Sequence, residues 1–254
     1  MTDMQSETVT IDQLRKSFSV LEGMSLMSLL PLDEKRAEKN LLKTLRDHVT
    51  YPPELIGELN AYGAAFSQGL KDYDERILYN WDDYDDDEKR ELLCLVHEDS
   101  GRVLGNGLKV HALQFADLED DPAKPGQERV GEWLSSEMTG GDPLLKISNK
   151  LLKRSLPEIL GVVVHEGGHG IVTQYAEQKN DVLQGKSGLM WSAYGDHARF
   201  YMNPEEALVR AFEVNVVECF APDSSKAKTI RQNTLDEPGY GHMAAAKQFF
   251  ALCK

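Results

Sequence analysis

The chain has 254 residues, enough for one large domain or one domain with a smaller extension, and its formal net charge is -14 at pH 7. This negative charge argues against a nucleic acid or an anionic membrane as a partner, because both favour basic surfaces. The three cysteines, Cys94, Cys219 and Cys253, lie far apart and form no C-x-x-C pair, so the sequence indicates neither a disulfide framework nor a thiolate zinc site.

The first residues of the chain do not have the pattern of a targeting segment. Acidic residues occur early, and no apolar core is flanked by basic residues. No stretch of the sequence is apolar over the length needed to span a bilayer. We therefore predict a soluble, cytoplasmic protein without a membrane partner, and an effector exported by a non-standard signal is compatible with the same pattern.

Apolar residues recur at helical spacing from residue 11 to about residue 80, with Pro31 and the Pro52–Pro53 pair as breakers. This pattern predicts three or four helices, which serve either as scaffold or as a module for recognition of a substrate or partner. The acidic run at residues 81–91, WDDYDDDEKRE, lacks the glycine and the ligand spacing of a calcium-binding loop. We predict a solvated loop there.

The character of the chain changes after residue 91. Residues 92–117 contain LLCLVHED and LKVHALQFAD, joined by the turn-rich SGRVLGNG, and this pattern predicts a β-hairpin. Its histidines, His97 and His111, are not assigned to a site. Residues 118–141 are rich in polar residues, Pro and Gly and are predicted to form a loop with a short helix around Trp133. Residues 144–154 are predicted to form a helix.

The stretch from Arg154 to Lys179 is predicted to form one buried helix. Ser155 and Glu158 have the spacing of a capping box, and Pro157 falls in the first turn, where its missing N–H costs nothing. The Gly167–Gly168 pair opposes the prediction, because each glycine weakens a helix by about 1 kcal/mol relative to alanine. We therefore expect a neighbouring group to approach the backbone closely at these two glycines.

This helix contains the most specific pattern of the sequence, H-E-x-x-H, at His165, Glu166 and His169. Two histidines four positions apart lie on the same face of a helix and can bind one ion. Zn²⁺ binds imidazole nitrogen at about 2.0 to 2.1 Å, and in a catalytic site it keeps one position for water. The pattern therefore predicts a zinc site in which Glu166 acts as the general base toward that water.

A catalytic zinc site with two histidines requires a third protein ligand. The three-His pattern would need Gly and His at positions where this chain has Val172 and Tyr175, so it is excluded. A predicted surface loop at residues 181–201 is followed by a strong helix start, with Asn203 suited to the N-cap and Pro204 to the first position. A glutamate of this helix is the expected third ligand, as in the His₂Glu sites of gluzincins.

The combination of HEGGH with the later YMNPEEALVRAFE resembles the zincin-type metallopeptidase domains of phage polyvalent proteins and, more distantly, the anthrax-lethal-factor-like metallopeptidases. These families share an H-E-x-x-H helix and a later N-x-x-E-x-x-x-x-A-F helix, and residues 155–220 carry the resemblance. The resemblance implies that Glu206 is the third zinc ligand. Glu205, or Asp196 or His197 in the preceding loop, remain alternatives.

Further roles follow from the same two segments. The lethal-factor-like enzymes have a Tyr seven residues before the ligand Glu, where this chain has Arg199. We predict Tyr201 as the donor to the oxyanion. Glu213 is predicted to orient a histidine ring, whereas a capping role of Glu206 or its pairing with Arg210 on the helix surface is the competing interpretation. Other candidates for the oxyanion donor are Tyr194, His197 and Arg199.

These patterns predict an α+β protein with a zincin-like metallopeptidase domain at residues 91–254 and a mostly helical region at residues 1–90. The predicted function is a zinc-dependent endopeptidase that acts on a protein or peptide substrate. The alternative is a catalytically inactive zincin-like protein that binds a partner or serves as an accessory protein of a phage or mobile element. The sequence leaves the substrate and the oligomeric state open.

Overall fold

A computed structural model describes residues 46–120, 128–178, 204–236 and 239–253. Within these ranges the chain is mostly helical and contains a three-stranded sheet, so the predicted α+β class is confirmed. No helix in the described ranges combines the length and the apolar character needed to cross a lipid bilayer. The predicted helices before residue 46 lie outside the described residues.

The regular elements are numbered along the chain. The helices are α1 (Pro53–Tyr73), α2 (Ile77–Asn80), α3 (Asp86–Ser100), α4 (Ser136–Thr139), α5 (Leu156–Gln178), α6 (Pro204–Phe220), α7 (Ser225–Asp236) and α8 (Ala244–Leu252). The strands are β1 (Ala112–Ala116), β2 (Gly131–Leu134) and β3 (Leu144–Ser148). Short 3-10 turns occur at Trp81–Asp83, Gly101–Val103, Asn149–Lys153 and Tyr240–His242.

The strand order in the sheet is β1-β3-β2. β1 runs parallel to β3, with Phe115 opposite Ile147, whereas β2 runs antiparallel to β3, with Trp133 opposite Leu145. Leu145 and Ile147 are fully buried, since β3 is the central strand. β2 is therefore an edge strand of this sheet, and it packs against α5.

The hairpin prediction for residues 92–117 is wrong, because LLCLVHED belongs to helix α3. The carboxylate of Asp85 accepts hydrogen bonds from the backbone N–H groups of Asp87 and Glu88, and Glu88 accepts one from the Asp85 N–H, which completes a capping box. The acidic run at residues 81–91 is accordingly not a loop but a 3-10 turn and the first turns of α3. Within residues 92–117, only Ala112–Ala116 forms a strand.

Two further predictions between residues 92–117 and the H-E-x-x-H pattern are wrong. Trp133 lies in strand β2, not in a short helix, and residues 144–154 form strand β3 and a 3-10 turn, not a helix. The alternation in β3, where Leu145 and Ile147 are buried, follows the period of a strand. Pairing on both sides of β3 decides its conformation, and the sequence of one short segment does not contain this information.

One hydrophobic core joins the helices. It includes Leu59 and Phe66 of α1, Val163 of α5, Phe212 of α6 and Phe249 of α8. Helix α3 runs across residue 90, the predicted domain boundary, and residues on both sides of that position contribute to the core. Within this core α5 lies against α6, and both contact α1. The H-E-x-x-H helix is thereby fixed on several sides.

The predicted close approach to the glycines of α5 is confirmed. A Cβ atom on Gly167 would lie 2.7 Å from the hydroxyl oxygen of Tyr62, and one on Gly168 would lie 3.2 Å from atoms of Phe212 and Val209. Tyr62 belongs to α1, whereas Phe212 and Val209 belong to α6. The paired glycines therefore cost helix stability but allow two other helices to pack directly on the α5 backbone.

The Tyr62 side chain has little freedom to move away. It is fully buried, and its hydroxyl donates a hydrogen bond to Nδ1 of His97 over 2.9 Å. Nε2 of His97 lies 2.8 Å from the backbone carbonyl oxygen of His111. Because a carbonyl oxygen only accepts, His97 carries its proton on Nε2, which leaves Nδ1 as the acceptor for Tyr62. This chain of hydrogen bonds connects α1, α3 and the segment before β1.

Substitution of Gly167 by alanine tests this packing. We expect Gly167→Ala to lower the free energy of unfolding by about 1 to 3 kcal/mol, because the added methyl group overlaps Tyr62. Gly57→Ala in α1 is the matched control, since a Cβ there meets open space, and it should stabilise by about 0.5 to 1 kcal/mol. Urea denaturation measures both, and equal effects of the two substitutions would contradict the packing argument.

His97 provides a test by pH. Burial lowers the pKa of His97 to about 4, below its ordinary value of about 6.5 in an unfolded chain. The neutral ring therefore contributes stability that is complete above about pH 6.5 and is lost as the pH falls toward the lower pKa. When the pH falls from about 7 to about 4.5, we expect the free energy of unfolding of wild type to fall by about 2 to 3 kcal/mol more than that of His97→Gln. Urea denaturation at the two pH values measures this difference. Equal losses in the free energy of unfolding of wild type and of His97→Gln would contradict this expectation.

Candidate metal centre

The local signals at the start of the H-E-x-x-H helix agree with the structure. α5 begins at Leu156, and the carboxylate of Glu158 accepts hydrogen bonds from the backbone N–H and the hydroxyl of Ser155, at 3.2 and 2.6 Å. Pro157 occupies the first turn. The predicted helix is confirmed, and it extends more than two turns before His165 and more than three turns after it.

The structure brings three predicted ligands together. His165 and His169 lie one turn apart on α5, and Glu206 lies in the first turn of α6. The Nε2 atoms of the two histidines are 3.2 Å apart. Oε1 of Glu206 lies 3.6 Å from Nε2 of His165, and Oε2 of Glu206 lies 3.2 Å from Nε2 of His169. Glu206 is only 3% exposed. These three residues form a buried group that could hold a metal ion.

The far nitrogen of each ring is held by a carboxylate. Nδ1 of His165 lies 3.0 Å from Oε2 of Glu213, and Nδ1 of His169 lies 2.8 Å from Oε1 of Glu205. An ionised carboxylate only accepts, so both rings donate from Nδ1, and Nε2 of each ring is the atom that faces Glu206. This carboxylate–histidine arrangement is the one that fixes the tautomer of metal-binding histidines.

A basic side chain contacts the carboxylates of α6. Nε of Arg210 donates to Oε1 of Glu206 over 2.8 Å, and Nη1 of Arg210 lies 3.4 Å from Oε2 of Glu213. Burial raises the pKa of Glu206, but Arg210 and the two histidines more than offset this and hold the pKa well below its usual value. Glu206 is therefore a carboxylate anion directed at the two imidazoles.

The electrostatics of His169 indicate a site for positive charge. Burial lowers the pKa of His169, but its contacts with Glu205 and Glu206 outweigh that effect and raise the pKa well above 6.5. The carboxylates thus favour a cation between themselves and the ring. A divalent metal ion meets the same requirement, because ligand atoms of two imidazoles and one carboxylate lie within 4.8 Å of one another.

Glu166 lies beside this group and below the edge of the sheet. A Cβ atom on Gly131 of β2 would lie 2.9 Å from Cγ and 3.0 Å from Oε1 of Glu166, so the backbone of the edge strand passes directly over this side chain. Burial raises the pKa of Glu166. A carboxylate with a raised pKa is a stronger base, which suits transfer of a proton near neutral pH.

Several predicted residues lie outside the described part of the chain. These are Tyr201, the predicted oxyanion donor, and the alternative ligands Asp196 and His197. Glu205, the other alternative ligand, contacts the Nδ1 side of His169, away from the three converging atoms. Glu213 lies where its predicted orienting role requires.

The sequence did not reveal two features of the site. The spacing on the helix suggests Arg210 as a surface partner of Glu206, whereas the structure places this ion pair inside the cluster. No pattern in the sequence indicated that Gly131 lies close to Glu166, because this contact depends on the pairing of β2 with β3. The spacing of Glu206, Arg210 and Glu213 on adjacent turns of one helix was the available clue to the first feature.

Comparisons with protein-family models, with curated proteins and with solved structures find no match to this chain. The geometry of the site and the chemistry of its residues are therefore the indications of function.

Substitution of Glu213 tests the role of the orienting carboxylates. We expect Glu213→Gln to weaken the binding of a divalent metal ion about 10- to 100-fold, because the amide holds the His165 ring less firmly and no longer favours its donating tautomer. Glu218→Gln is the matched control on α6, since Glu218 pairs with Arg231 away from the site. Competition with a chelator measures both affinities, and equal affinity of the two variants would contradict an orienting role.

Proposed function

We propose that this protein is a zinc-dependent metallopeptidase, with His165, His169 and Glu206 as metal ligands and Glu166 as the general base. The observation that carries the proposal is the close grouping of these three side chains, whose ligand atoms lie within 4.8 Å of one another, with the two Nε2 atoms 3.2 Å apart. An ion with tetrahedral bonds of about 2.0 to 2.1 Å requires ligand separations of about 3.3 to 3.5 Å. The 3.2 Å between the two Nε2 atoms is close to this separation, and two imidazole nitrogens with one carboxylate are a donor set that zinc accepts.

The proposed mechanism assigns a separate task to each group. Zinc, when bound, supplies a Lewis acid that lowers the pKa of water and polarises a carbonyl group. Glu166 accepts a proton from the attacking water and later donates it to the leaving amine, so its carboxylate is regenerated. Glu213 and Glu205 hold the two imidazole rings in position throughout. Tyr201 as donor to the oxyanion stays a prediction.

The position of β2 supports a peptide as the substrate class. Among the described strands, β2 pairs only with β3, and Gly131 of β2 lies against Glu166. An extended peptide can bind to such an edge by adding itself as a strand, which would place one of its amide groups beside the general base. The hairpin expected at residues 92–117 does not provide this edge, but β2 does.

Substitution of Glu166 tests the mechanism. We expect purified wild type to contain one zinc per chain and Glu166→Gln to retain that zinc while hydrolysis falls at least about 100-fold, because only proton transfer is removed. Glu177→Gln is the control, since Glu177 is exposed on the same helix. Profiling of new peptide N-termini in a cell lysate incubated with each protein measures hydrolysis and does not require an identified substrate.

Two outcomes would contradict the proposal at different points. Wild type without stoichiometric zinc would eliminate the metal site. Zinc-loaded Glu166→Gln that generates the same new N-termini as wild type would leave the metal site standing but eliminate Glu166 as the base.

A further inference from the structure

One side of the edge strand β2 lies on helix α5. Gly131 and Trp133 are two positions apart in this strand, so they face the same side of the sheet. A Cβ atom on Gly131 would lie 2.7 Å from Cγ1 of Val162 and 2.9 Å from Cγ of Glu166, which shows that this side faces α5. Because Gly131 has no side chain, Trp133 is the residue of β2 whose side chain reaches the helix from this strand.

The indole ring of Trp133 meets a histidine directly above the helix backbone. Nε1 of Trp133 donates a hydrogen bond to Nδ1 of His111 over 3.0 Å, and the two rings are stacked with their centroids 6.2 Å apart. A Cβ atom on Gly170 of α5 would lie 3.1 Å from each of these two nitrogens. Gly170 is four residues after Glu166 and lies on the same face of α5. The hydrogen bond is therefore about one turn away from the candidate general base.

His111 is itself fixed to two helices through its chain segment. Its backbone carbonyl oxygen accepts a hydrogen bond from Nε2 of His97 in α3, at 2.8 Å. Two residues earlier, the backbone N–H of Lys109 donates to the side-chain oxygen of Gln174 in α5 over 3.2 Å, and the Gln174 amide donates to the Lys109 carbonyl oxygen over 2.6 Å. His111 therefore offers Trp133 an acceptor whose position is set by α3 and α5.

The ring of His111 has the protonation state that this hydrogen bond requires. An indole N–H only donates, so Nδ1 of His111 is the acceptor and the neutral ring carries its proton on Nε2. Burial lowers the pKa of His111, and the charge of Asp142 offsets only part of this effect. The half-buried position of the ring thus favours the neutral form that accepts from Trp133.

We propose that His111 is a positioning residue that, through Trp133, holds the edge of β2 at a fixed place over Glu166. This role rests on the proposed function, because the edge of β2 is where the peptide substrate would bind. Pairing with β3 fixes β2 within the sheet, whereas the hydrogen bond to His111 fixes the strand relative to α5. A peptide that pairs with β2 moves with this strand, and a misplacement of about 1 Å at a reacting group can cost about 100-fold in rate.

The experiment compares wild type with His111→Leu, which has no acceptor, and with His111→Asn, whose side-chain oxygen can take the place of Nδ1. The substrate is a synthetic peptide that contains a cleavage site found by the lysate profiling of wild type. We expect kcat of His111→Leu to fall about 10- to 100-fold while KM changes less than about 3-fold, because the peptide still pairs with β2 but is misaligned with Glu166. The kcat of His111→Asn should stay close to that of wild type. His48→Leu is the matched control, since His48 is exposed before α1, and its kcat should equal that of wild type.

Trp133 provides a second variant and a measurement that does not depend on hydrolysis. Trp133→Phe keeps an aromatic ring but removes the donor, so its kcat should fall as in His111→Leu, and the double variant should fall no further than either single variant. The indole N–H of Trp133 gives the nuclear magnetic resonance signal that is missing in Trp133→Phe. This signal should move upfield in His111→Leu and keep its position in His111→Asn. If His111→Leu does not fold, Trp133→Phe decides.

The possible results separate this role from the proposed function. Folded His111→Leu with the kcat of wild type would overturn the role of His111 and leave the proposed function standing. An equal fall of kcat in His111→Asn would also overturn it, because the acceptor would then not be the group that matters. Additive falls in the double variant would show that the two residues act separately and would overturn it as well. Zinc-loaded wild type that cleaves no peptide would overturn the proposed function, and this role with it.

Discussion

The candidate metal centre depends on how closely α5 and α6 approach each other. A Cβ atom on Gly161 would lie 3.2 Å from Oε1 of Glu213, and one on Gly168 would lie 3.2 Å from Phe212 and Val209. These two glycines are seven residues apart and therefore lie on one face of α5. Side chains at both positions would move α6 outward, and the 3.0 Å hydrogen bond between Glu213 and His165 would not survive that movement.

This close packing also explains how buried carboxylates are tolerated. Glu205, Glu206 and Glu213 are each at most 6% exposed, and an isolated carboxylate in such a place would be very unfavourable. Here the charges are shared with imidazole N–H groups and with Arg210. The surrounding apolar side chains of α5 and α6 exclude water and so strengthen these contacts. The buried carboxylates are tolerated because each of the three contacts an imidazole N–H or Arg210.

The sequence predictions were correct where interactions between residues close in the chain decide the structure. The starts of α5 and α6 were predictable from Ser155, Glu158 and Pro204, because caps and first turns are local. The H-E-x-x-H pattern placed His165 and His169 on one face for the same reason. Glu206 was predicted from the family resemblance and from the need of such a site for a third ligand.

The errors occurred where distant partners decide the structure. The segment LLCLVHED has the composition of a strand, but its burial against α1 and the cap at Asp85 make it helical. β3 is a strand because β1 and β2 flank it. The buried position of Arg210 was not predictable, because ion pairs one turn apart have the same spacing on a surface and in a buried cluster.

The tethering of both imidazoles has a consequence for how a metal ion would enter and leave. In small zinc domains the ligands are not assembled in the unfolded chain, and binding the ion is the same event as folding. Here each ring is already fixed through Nδ1, and the two helices are held together by a core that includes Val163 and Phe212. Capture of such an ion would therefore require exchange of its water shell but little ordering of these two helices. Chelation and reloading should accordingly proceed on the folded protein, at rates set by ligand exchange and not by unfolding.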